Sequence, residues 1–209
     1  MTTTVASILS RVRVTLQDVD ADRWPDSELV GYLNEAQQAL VVARPDVNAA
    51  TESIAMVQGA RQTIPSTSIA LIDVPRNSTG RKRAIRRVDL QTLDAVSRDW
   101  QSSTEATEFV NFAHDLREPR VFYVYPPSKA AGASVDVTTS KYPTQVTAVG
   151  TIALEDQWAT PLGDFVLSRA YSKDAEFGGN ANAAAGFMSA FNSAIGVQLQ
   201  AATAVSLKA

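Results

Sequence analysis

"LQDVDADRWPDSELVGYLNEAQQALVVARPD", residues 16–46, is the stretch on which the fold turns. Asp18, Asp20, Asp22 and Asp26 occupy the spacing of the first, third, fifth and ninth ligands of an EF-hand calcium loop. Such a loop also needs glycine at its sixth position and a bidentate glutamate at its twelfth, and those positions hold Arg23 and Leu29. Glu28 comes one residue early, and Arg23 brings positive charge to where a cation would sit. The stretch therefore reads as a connector followed by a helix start. Leu29, Leu33, Ala36 and Leu40 share one face of a helix from about Asp26 to Ala43. Trp24-Pro25 sits at its beginning, where proline's fixed φ is tolerated. Asp26 and Glu28 fall in the first turn, where negative charge complements the helix dipole. Arg44-Pro45 ends it, since a residue before proline disfavours helical geometry. Upstream, Val5, Ile8, Leu9, Val12 and Leu16 predict an amphipathic helix over residues 4–17. Residues 18–25 then form the loop between two helices, with the Trp24 ring packed onto them.

Beyond this pair the pattern changes. Residues from about 51 to 154 carry short β-rich runs broken by turn residues: "SIAMV", "RQTIP", "SIALIDV", "RVFYVYPP" and "ASVDVTTSKYP". Asp89 is placed to cap a short helix, "LQTLDAV". The last third returns to helix. Thr160-Pro161 opens one running to about Phe177, with Leu162, Phe165, Val166, Ala170 and Tyr171 on one side. "GGN" at 178–180 breaks it, and a final alanine-rich helix from about Ala181 stacks Phe187, Phe191, Ile195 and Leu199. Beyond Leu199 the pattern loosens, and Val205 and Leu207 alternate with Ser206 and Lys208 as in a short strand. The expected fold is α+β: a helical bundle from the terminal helices (1–47 and 155–209) with an inserted β-rich domain (48–154).

Composition narrows the function. The chain has 209 residues, no cysteine and a net charge of −3, which argues against a protein that coats nucleic acid through its phosphates. No apolar run is long enough to span a membrane, and "MTTTVASILSRVRV" interrupts its apolar residues with arginines, unlike a signal peptide. Zinc-ligand spacing and phosphate-binding glycine loops are absent from the sequence, so no cofactor is expected. His114, the single histidine, stands beside Asp115, but no motif marks a serine as its nucleophile and there is no cysteine. A base alone does not make an active site, so no enzyme is expected. "RNSTGRKRAIRR" gathers Arg76, Arg81, Lys82, Arg83, Arg86 and Arg87, nearly a third of all Lys and Arg. It reads either as a solvated loop or as a contact for an acidic partner or DNA.

The opening stretch resembles the start of the phage adaptor, or head-to-tail connector, proteins of short-tailed phages (tail tubular protein A-like). Trp24, Leu33, Asn34, Glu35 and Ala36 carry the likeness. "GARQTIP" (59–65), "RNSTGR" (76–81), Trp100, "FYVYPP" and "VLSRAYSKDAEF" (166–177) follow in the family's order, so the resemblance spans roughly residues 5–200. Pro25 departs from it, standing where serine or threonine is commoner as the helix cap.

The resemblance implies a virion neck protein, assembled in the host cytoplasm, that forms a dodecameric ring under the portal protein. The ring extends the DNA channel, through which DNA passes without specific binding, and is the platform for the tail nozzle. It also implies a C-terminal tail that grips the portal, here with Leu199, Val205 and Leu207, becoming ordered and largely extended from about residue 200. Arg81, Lys82, Arg83, Arg86 and Arg87 are then expected to sit on or beside a β-hairpin and to face a protein partner or solvent, because cations lining the lumen would hold DNA back. Two other classes compete. A small regulatory DNA-binding protein would read duplex through the N-terminal helix pair, yet the second helix begins with the acidic "PDSELVGYLNE". A hydrolase or lyase would need more than His114.

Overall fold

The computed structural model describes residues 3–173 and 178–206. Among them are five α-helices and two β-sheets, making an α+β protein. The chain divides into a helical unit, residues 1–47 with 143–209, and a β-rich unit, residues 48–142.

In the helical unit, α1 (Val5–Leu16) starts where the Thr4 side chain accepts the Ser7 N–H at 3.2 Å. It buries Val5, Ile8, Leu9, Val12 and Leu16, the stripe its spacing marks out. Helix α2 (Asp26–Ala43) follows, capped by Pro25 without a side-chain hydrogen bond. Its acidic first turn and the loop before it are tied to α1 by one guanidinium. Arg13 donates to the Asp18 carboxylate (3.2 Å), the Trp24 carbonyl (2.9 Å) and Asp26 (2.5 Å).

Residues 143–154, expected in the β-rich domain, belong instead to the helical unit. The reason lies on α2, whose side chains hydrogen-bond to the backbone of this segment. Asn34 exchanges two hydrogen bonds with the Val146 backbone, at 3.1 and 2.8 Å, and Gln37 accepts the Ala153 N–H at 2.8 Å. Helix α4 (Ala159–Lys173) also begins earlier than read from sequence, directly after a 3-10 turn at Asp156–Trp158. Pro161 is accommodated in its first turn, where N–H groups have no intrahelical acceptor.

Helix α5 covers Gly178–Ser206, so the strand-like end expected near Val205 is helical as far as Ser206. Three alanines among residues 201–204 favour helix more than the alternation favours strand. Residues 207–209 lie outside the described residues. Phe165 meets Phe191 edge-on at 5.2 Å and Tyr171 stacks on Phe187 at 5.8 Å, so α4 and α5 run antiparallel.

The β-rich unit holds two sheets. One has order β1-β7-β3 (Ala49–Ala55, Ser134–Lys141, Ser68–Asn77), and the other β2-β6-β5-β4 (Gly59–Thr63, Val121–Ser128, Asn111–Ala113, Arg86–Arg87). Met56, Leu71, Val74, Phe112, Phe122 and Val137 belong to the apolar core between them. Alternation along β6 sends Phe122 and Val124 into that core and Tyr123 and Tyr125 to the opposite face. There they meet Trp100 edge-on at 6.3 and 6.5 Å, beside Leu93 of α3 (Leu90–Val96). Asp89 takes the N-cap position of α3, but its side chain makes no capping bond.

Candidate interaction surface

The basic residues are held on a built scaffold. The chain leaves β3 at Asn77, turns, and returns through an antiparallel bridge between Arg76 and Ala84 into β4. Arg81, Lys82 and Arg83 occupy the turn, Arg86 and Arg87 form β4, and all five are exposed. Among the described residues none of the five makes a salt bridge.

Four neighbours fix this turn. Asn77 is fully buried; its amide donates to the Arg83 carbonyl (3.0 Å) and the Phe109 carbonyl (2.9 Å), and its oxygen accepts the Phe109 N–H (2.8 Å). Glu108 accepts the Arg81 N–H at 2.9 Å. Gly80 has a φ of +63°, which favours glycine, and a Cβ there would push aside the Glu108 carboxylate that accepts the Arg81 N–H. Asp136 receives Arg76 Nε at 2.6 Å and the Ser78 hydroxyl at 2.8 Å. Those two bonds, with the Arg76 charge, hold the Asp136 carboxyl below its usual range. The clamp role of Asn77 and the part of Asp136 are not readable from sequence, because Phe109 is 32 residues from Asn77, and Arg76 and Ser78 are 58–60 from Asp136.

The acidic loop is equally organised. Burial pushes the Asp18 carboxyl up, but the N–H groups of Trp24 (3.0 Å) and Arg23 (3.1 Å) and the charge of Arg13 hold it below the usual carboxylate range. Its oxygens are thus occupied by protein donors, and among the described residues no cluster of three metal-ligating side chains occurs. Asp20 and Asp22 remain exposed, with no salt bridge among the described residues.

The remaining sequence candidates separate. His114 Nδ1 lies 2.8 Å from the Val121 carbonyl, and Asp115 is engaged by Arg117 at 2.8 Å, so the pair is not wired as a base and its orienter. That ion pair holds the Asp115 carboxyl down. The first turn of α2 carries Asp26 and Glu28, paired with Arg13 and Lys173, and no basic residue that would reach for phosphate. Leu199 and Val205 fall on the backbone of the last turns of α5, and Leu207 lies outside the described residues. No helix among the described residues is long and apolar enough to cross a membrane.

The family model described as SU10 adaptor protein matches residues 3–208. No curated protein matches the chain. Matched over nearly its whole length, the chain belongs to the SU10 adaptor protein family, whose members are structural phage adaptors and not an enzyme family.

Proposed function

We propose that this phage adaptor works in the virion neck as a ring beneath the portal, extending the DNA channel and providing the platform on which the tail nozzle docks. The observation that carries the reading is the family match across residues 3–208. In this reading the terminal helices form a bundle into which the β-rich unit is inserted, and copies close into a dodecamer through heterologous, head-to-tail contacts. Such contacts need apolar surface that one copy leaves uncovered, and Val14 (67%), Val19 (69%) and Val149 (91%) of the helical unit are exposed. The net charge of −3 suits a lumen through which DNA slides.

The last turns of α5 continue past the start of antiparallel α4, a reach that suits a portal grip through Leu199 and Val205, with Leu207 of the following residues as the third proposed contact. The five exposed cations of the hairpin face a protein partner, since the same charges on the lumen would retard ejection. Co-sedimentation of the purified chain with portal rings tests the proposal. Binding in fixed stoichiometry is expected; absence both from the portal pellet and from mature virions would overturn it.

A further inference from the structure

We infer that the basic hairpin of one copy docks on the Asp18–Asp26 loop of the next copy, Asp20 and Asp22 receiving its cations. The inference rests on the ring proposed above and supplies one of its contacts. Charge is divided unevenly along the chain. Residues 48–142 hold twelve Lys and Arg against ten Asp and Glu, a net of +2, while the helical unit holds seven against twelve, a net of −5. A head-to-tail contact between identical copies needs two different, complementary surfaces on one chain, and surfaces of opposite sign supply them.

Among the described residues, most other carboxylates of the helical unit are already engaged within it. Asp18 and Asp26 bind Arg13, Asp46 binds Arg44, Glu28 binds Lys173 and Glu35 binds Arg169. Asp20 and Asp22 stand two residues apart on a loop that Arg13 and Asp18 lock in place, and they have no such partner among the described residues. The hairpin is their counterpart: five exposed cations, none in a salt bridge among the described residues, on a turn fixed by Asn77 and Glu108. Both surfaces are preorganised, so association orders little backbone. Duplex DNA is the competing occupant of the hairpin, but a net of only +2 on the unit that carries it is small for a surface that holds phosphates.

Two measurements test the contact. The chain has no native cysteine, so Asp22→Cys with Lys82→Cys in one chain permits an oxidative trap. A ladder of disulfide-linked dimers, trimers and higher species from concentrated protein is expected, whereas either single variant stops at dimers. Absence of the ladder overturns the contact. The second is a charge swap. Arg81→Glu/Lys82→Glu/Arg83→Glu and, separately, Asp20→Lys/Asp22→Lys should each weaken self-association roughly tenfold or more at low salt, and an equimolar mixture of the two should recover it. Equal losses without recovery, or loss of duplex retention with self-association intact, would overturn the inference. Wild-type occupancy of portal rings is read in parallel. Rings that form normally from both charge-reversed proteins refute this contact and leave the adaptor reading standing. A wild-type chain that fails to bind portal refutes the adaptor reading, while the ladder still decides the contact.

Discussion

Arg13 and Asp18 show how an acidic motif that imitates a calcium loop serves another purpose. With one guanidinium and one carboxylate meeting the backbone of residues 18–24, the loop is closed from inside. Because the folded Asp18 carboxyl titrates lower than in the unfolded chain, its contribution is present above the unfolded value of about 3.9 and is lost as pH falls through the lower folded value. Asp18→Asn should therefore lower the Tm at neutral pH and flatten part of the decline below pH ~4, read from melting curves across pH. Trp24, 5% exposed, fills the space beneath the loop, and Trp24→Ala is expected to cost ~3–5 kcal/mol by chemical denaturation. Added calcium should leave the melting temperature of the unaltered chain unchanged; a rise of several degrees would contradict the loop assignment. The positions of Trp24 and the acids were legible from local spacing. The role of Arg13 was not, because an arginine within an amphipathic helix carries no sign of which distant carbonyl it will reach.

Elements were legible where a period runs long enough. The stripes of α1 and α2 and the alternation of β6 are strong because burial on one face selects them. Strands β4 and β5, two and three residues long, carry no readable period and exist through pairing with each other and with β6. The domain boundary was misplaced for a similar reason: Asn34 and Gln37 bind a segment more than a hundred residues away, and nothing local announces it. Asn34→Ala should cost ~1 kcal/mol and raise hydrogen exchange at Val146, the backbone groups it serves being half-buried. The end of α5 supplies a second prediction at this scale. Removing residues 200–209 should leave the Tm nearly unchanged, since helix termini contribute little to global stability, and should abolish portal binding. Full affinity in the truncated chain would remove the tail from the binding surface.

For the molecule as a whole, the order of the family's blocks along the chain is more telling than any single piece of chemistry. "RNSTGR" is weak alone, yet the structure makes each part of it structural: Arg76 on Asp136, Asn77 as the buried clamp, Gly80 against Glu108. What no single chain displays is where its faces point once copies meet. The central claim is that the chain is a neck adaptor assembled on the portal, and electron microscopy of the purified chain mixed with portal rings tests it most directly. A second ring stacked coaxially on one end of the portal is expected, one adaptor per portal subunit, with the channel open through both. Bare portal rings at saturating adaptor, or adaptor scattered around the portal's outer wall, would contradict it.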